Sequence, residues 1–212
     1  MIEINLSDKV SIINYGVGTQ HHLATLSETV SDIVKEKDYS DIKELHDTLS
    51  ELMTSDDKKT LLYRDAAVTG IKEGLIHKRL ELLKEGKLYE QLKNTNEVYI
   101  TRLSDEISHA EAFLERVKNS GESPSDALAI SQLKSRVKEL KTSKTVAGTL
   151  NEQLTFYGKN SASLADRIGA VINTLMPLWE SGRAMSVSKE STKKAFKMLK
   201  ALADDSFNKI TD

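Results

Sequence analysis

The sequence contains no cysteine, only two prolines, ten glycines and a single tryptophan in 212 residues. Absence of cysteine excludes disulfides, thiolate nucleophiles and cysteine-ligated metals. Few prolines and glycines leave little punctuation for the many turns of a sandwich or barrel. Aromatic residues make up 5% and apolar residues 39%, against 29% charged, a profile that suits an extended helical bundle with much surface for its volume. The net charge of −2 gives no electrostatic argument for nucleic acid. No apolar run approaches the ~18 residues of a membrane span. Met1–Ser7 shows no basic stretch followed by an apolar core, so no secretory signal is expected and the cytoplasm is the default location. Glycine-rich phosphate loops, nucleophile elbows, internal repeats and strand-like alternation are also missing, so the expected class is all-α and an enzyme is the least expected function.

What is present is a seven-residue beat. Leu133, Leu140, Ala147, Leu154, Ser161, Ile168 and Leu175 lie seven apart. Val137, Ala165 and Ile172 follow members of that row by four, and Leu150, Tyr157, Leu164 and Val171 by three. Such positions line one side of a helix. The pattern predicts one helix over about 125–180, ending where Pro177 and Ser181-Gly182 interrupt it. At about 1.5 Å per residue it is roughly 80 Å long, too long for a compact sphere of this chain length. The expectation is a single elongated antiparallel bundle, a rod of helices laid side by side.

The remaining helices follow from the same spacing. Val10, Ile13, Val17, Gln20, Leu23, Leu26, Val30 and Ile33 predict a helix over 8–37, capped by Ser7 or Asp8. Gly16 and Gly18 inside it each cost about 1 kcal/mol against alanine, which suggests a close approach to a neighbour. Ile42, Leu45, Leu49 and Leu52 predict a short helix over 41–53. A third region spans 58–118: Leu61, Val68, Leu75 and Leu82, backed by Leu62, Ile71 and Ile76, then Leu88, Leu92, Val98, Tyr99, Leu103, Ile107, Ala110, Leu114 and Val117. The run Lys84-Glu85-Gly86-Lys87 reads equally as a kink or a short loop. Gly121 and Ser123-Pro124 mark the clearest loop, which makes 87–118 and 125–179 a helical hairpin. A last helix over 188–207 carries Ala195, Met198, Leu199 and Leu202, with five lysines on its other sides.

Few residues offer chemistry. Glu106 and His109 have the Glu-x-x-His spacing of di-iron bundles, but such sites need two copies and two further glutamates. Solvated surface residues are the expected role. His21, His22, His46 and His77 have no partner at ligand spacing, so neither metal nor cofactor is expected. Arg136, Lys138, Lys141 and Lys144, with Lys134, form a basic belt. Lys134, Lys138 and Lys141 share one face, while Arg136 and Lys144 flank the apolar stripe. Lys144, four after Leu140, falls on a core-type position, where it must snorkel or meet an anion. The belt reads either as a solvated face partnered by Glu139 or as an anion site. Trp179 reads as a packing anchor at a helix end or as a contact for a partner or membrane surface.

Three segments, taken in order, resemble the toxic anion resistance (TelA-like, tellurite resistance) family. The first is Tyr15-Gly16, Gln20, Leu26-Ser27 and Lys37-Asp38. The second is Asn96, Tyr99, Leu103, Ile107 and Glu111. The third is Leu140-Lys141, Lys144-Thr145-Val146-Ala147, Gln153, Asn160, Ile168 and Pro177-Leu178-Trp179. The chain departs from the family pattern in several places. Lys144 stands where arginine is usual, Glu152 where proline is, and Glu106-Ile107 where tyrosine-isoleucine is. The chain is also shorter before the middle helix and at its end, so it resembles a shortened member. The resemblance implies a cytoplasmic, helical, non-enzymatic protein linked to tellurite tolerance and stress response, similar to proteins carried on plasmids and phages. It transfers no catalytic residues.

The expected function is therefore non-catalytic protein binding, with an oxyanion as a second ligand class. Arg136 and Lys144 lead the anion candidates, and Trp179 and Tyr15 are the packing or partner contacts. The alternative is a phage- or plasmid-encoded accessory or counter-defence protein that binds a host protein. Homo-oligomerisation and peripheral membrane contact stay open, because long apolar stripes can be covered within or between chains.

Overall fold

The structure, a computed structural model, describes residues 4–37, 40, 44, 48, 61–120 and 126–182, without the side chains of 61–66, 174–176 and 178–182. The expected helices over 41–53 and 188–207 and the loop 121–125 fall outside the described residues, apart from Ser40, Glu44 and Thr48, which are helical and exposed. Four helices are described: α1 (Lys9–Ile13), α2 (Val17–Lys35), α3 (Leu61–Ser120) and α4 (Ala127–Gly182). Among the described residues there is no strand, and the fold is all-α. No described helix is long and apolar enough to cross a membrane.

Packing divides the chain into two compact units. One comprises residues 1–36 with 89–156, the other 37–88 with 157–212. Within the first, Asn96 Nδ2 donates to the Ala147 carbonyl at 2.8 Å and Lys141 pairs with Glu111 at 2.6 Å. Numbers rise on α3 as they fall on α4, so the helices are antiparallel. Within the second, Arg79 Nε donates to the Ala165 carbonyl at 3.2 Å and Ser161 Oγ to Glu85 at 3.2 Å, again antiparallel. The hairpin expected from the short polar loop is therefore present in each.

Its seam is the heptad row. On α4, Leu133, Leu140, Ala147, Leu154, Ser161 and Ile168 are all buried. On α3 the matching row is Val68, Leu75, Leu82, Tyr89, Asn96, Leu103 and Ala110. α3 runs through Gly86 as unbroken helix, so the row keeps its phase across the Lys84–Lys87 stretch. This corrects part of the sequence pattern: Ile76, Leu88 and Val98, expected in the interior, are exposed, and Tyr89 and Asn96 occupy the seam instead.

The expected first helix is interrupted. Asp8 caps α1, its Oδ1 accepting from the amides of Val10 and Ser11 at 3.0 and 3.2 Å. α1 stops at Asn14, and Gly16, with φ +71°, turns the chain through the left-handed region into α2. A helix keeps a face only while its backbone angles repeat, so this turn resets the phase. Before it, Val10 and Ile13 face outward at 66% and 57% exposure, while Ile12 and Tyr15 are buried. After it, Leu23, Leu26 and Val30 are buried as expected. Gly16 also makes the expected close approach. A Cβ there would stand 2.6 Å from Leu140 Cδ2 and 2.9 Å from Glu106 Oε2. Gly18 has open space around it and makes none.

Candidate functional site: the basic belt and the N-terminal strap

Residues 4–35 lie on the hairpin as a strap, and one polar cluster fastens it. Tyr15 is 1% exposed. Its hydroxyl donates to the Glu106 carbonyl at 2.8 Å and sits 3.2 Å from His109 Nδ1, with the two rings stacked at 6.3 Å. Burial, and then the Glu106 carboxylate, push the phenol up to about 12, because both disfavour a phenolate. Thr19 Oγ1 donates to Glu106 Oε1 at 2.8 Å. Glu106 and His109 are thus half-buried and hold the strap, rather than lying solvated as expected. Among the described residues, no group of three or more histidines and carboxylates is placed to hold a metal.

The guanidinium of Arg136 enters the same cluster from α4. Its Nε donates to the Tyr15 carbonyl at 2.7 Å, one terminal nitrogen to Glu139 at 2.5 Å and the other to Gln20 Oε1. Gln20 in turn donates to Ser143 Oγ at 2.6 Å. The fork of donors that suits arginine to planar anions is occupied by this chain's own carbonyl, amide and carboxylate. The side chain is only 11% exposed.

The structure does not draw the other belt residues to Arg136. Lys141 pairs with Glu111 across the hairpin, both about half exposed. Lys134, Lys138 and Lys144 are exposed and have no ion-pair partner among the described residues. Lys144 does not occupy a core position. Between the buried Leu140 and Ala147, Ser143 takes the half-buried place against Gln20, and Lys144 turns outward. The physical reason is the strap: it lies on the Arg136–Ser143 side of the stripe. The four lysines lie within roughly a third of the α4 circumference, at 100° per residue. The Trp179 side chain lies outside the described residues, while Tyr15 is buried.

Sequence reasoning missed Thr19 and the inward role of Glu106, while Glu139 is the intrahelical partner of the belt that it expected. The signal of Thr19 and Glu106 was weak, since each is an ordinary polar residue on a helix. His22, stacked on Tyr99 at 5.8 Å, is a further strap contact of that kind.

The comparison with protein families decides the kinship. A model of the toxic anion resistance protein (TelA) family matches residues 63–210, more than half of the chain. The chain belongs to the TelA family. No curated protein and no solved structure matches it. The matched span takes in all of α4, including Pro177-Leu178-Trp179, and nearly all of α3. The strap precedes it, so the cluster that immobilises Arg136 joins residues within the family match to residues outside it.

Proposed function

We propose that this TelA-family chain contributes to toxic anion resistance without catalysis, as a helical surface that binds a partner protein. The observation that carries this reading is the sequestration of Arg136. The one guanidinium in the belt closes the strap, and what remains outward is an open row of lysines on α4. A small oxyanion needs donors that converge on one point, whereas an open row of ammonium groups matches a chain of carboxylates on another protein. Lys134, Lys138 and Lys144 are the residues of that row, and a cytoplasmic protein with an acidic surface is its expected partner.

The test is survival of cells under tellurite, relying on the chain carrying Lys134→Glu, Lys138→Glu and Lys144→Glu together. Loss of protection, with helicity by circular dichroism unchanged, is the expected result. Wild-type survival removes the lysine row from the function. Calorimetry of the wild-type protein with tellurite separates the rival reading: heat at millimolar tellurite, lost in the triple variant, would mean that the anion itself is the ligand.

A further inference from the structure

Residues Glu73, Ile76, Leu80, Leu83 and Lys87 occupy one exposed face of α3, spaced three, four, three and four. The three apolar members are 41%, 52% and 37% exposed. Their spacing is that of a coiled-coil seam, yet the hairpin seam of α3 runs through Leu75 and Leu82 on another side. Neither Glu73 nor Lys87 has an ion-pair partner among the described residues. A carboxylate at one end, a base at the other and three apolar groups between them give the face an internal symmetry about Leu80. Counted from Leu80, the members stand at −7, −4, 0, +3 and +7.

An isologous interface brings a patch against itself, rotated by half a turn. A second copy laid antiparallel, with the dyad at Leu80, puts Leu80 on Leu80 and Leu83 beside Ile76 twice. It also puts each Lys87 level with the Glu73 of the second copy. Among the flanking residues, Lys84 of one copy comes level with Ile76 of the other, one residue from His77, whose ring is paired with Glu81 at 3.1 Å. We propose that this face is the seat of a second copy of the chain, in an antiparallel homodimer centred on Leu80. The inference does not rest on the lysine row of α4 and stands or falls separately. Three half-exposed apolar side chains fall short of the roughly 800 Å² per partner of a standard interface, so the dimer is weak and concentration-dependent.

Sedimentation equilibrium on the full chain, from micromolar to near-millimolar concentration, reads it. The expected result is a reversible monomer–dimer equilibrium. Glu73→Lys or Lys87→Glu alone weakens it roughly tenfold, since two like-charge contacts replace two attractive ones. The double exchange Glu73→Lys/Lys87→Glu restores it, a rescue that misfolding could not produce. Because the chain has no cysteine, Leu80→Cys supplies a single thiol. Mild oxidation should link it to itself, whereas Glu73→Cys and Lys87→Cys should link only when mixed. A monomer at every concentration overturns the proposal, because the stripe is then covered otherwise. So does a dimer indifferent to both reversals, or self-linking of Glu73→Cys in preference to Leu80→Cys.

Discussion

Gly16 and Gly18 are two residues apart, and alanine at each should move stability in opposite directions. At Gly16 the backbone is left-handed, φ +71°. An alanine there costs about 1–2 kcal/mol in steric strain. Its Cβ would also stand 2.6 Å from Leu140 Cδ2, a side chain with no exposed surface and so little room to retreat. Overpacking of that kind adds about 1–3 kcal/mol. The sum is about 2–5 kcal/mol of destabilisation, concentrated on the strap. At Gly18 the backbone is helical and no atom lies within 4 Å of the added Cβ. There alanine should stabilise by roughly 0.5–1 kcal/mol, because glycine loses more backbone entropy on entering a helix. Urea unfolding followed by circular dichroism measures the sign. Native-state amide exchange at residues 17–35 locates the effect, with faster exchange in Gly16→Ala and slower in Gly18→Ala. If both variants shift stability the same way, or Gly16→Ala is neutral, the left-handed turn against Leu140 is not what fastens the strap.

Arg136→Ala should cost about 1.5–3 kcal/mol, the worth of hydrogen bonds to a charged group, and Arg136→Lys should recover little of it, because one ammonium cannot replace a fork spanning Tyr15, Gln20 and Glu139. Amide exchange in the strap reads both variants. The Tyr15 phenol, raised to about 12 from the ordinary value of 10, favours folding fully below pH 10, where the unfolded chain is also protonated. That stability should drain away as the pH climbs from 10 to about 12, and Tyr15→Phe should flatten the decline in urea midpoints over that window. At neutral pH the same variant should lose about 1 kcal/mol with its hydrogen bond to Glu106. Asn96→Leu should raise the melting temperature, since it replaces a fully buried amide by an apolar side chain of similar size. It should also weaken the choice of register, because the Asn96 amide ties α3 to α4 through Ala147 and Asn151. Extra or broadened amide resonances in Asn96→Leu would show that; a single sharp set would refute it.

Much of this was legible in the amino-acid order. The α4 row from Leu133 to Ile168 was readable because an unbroken helix turns a seven-residue spacing into one buried edge, and the family's order of motifs reached the same kinship that the match over 63–210 gives. The Asp8 cap and the close approach at Gly16 were also on the page, since a carboxylate before an apolar run and a costly glycine each have few uses.

What local spacing could not supply was the phase beyond a break and the partner of a charge. Val10 and Ile13 keep helical spacing with Leu23, yet one left-handed residue at Gly16 rotates them to the outside. Gly86 looked like a similar interruption and is not one, because α3 stays helical through it and carries the row on to Tyr89 and Asn96. Arg136 and Lys144 looked alike in a basic belt. Only tertiary packing, which brings a strap from 116 residues away in the chain to Arg136 and leaves Lys144 in water, separates them. A side chain's type limits whom it can meet, but the neighbour is chosen by helices that sequence spacing does not bring together.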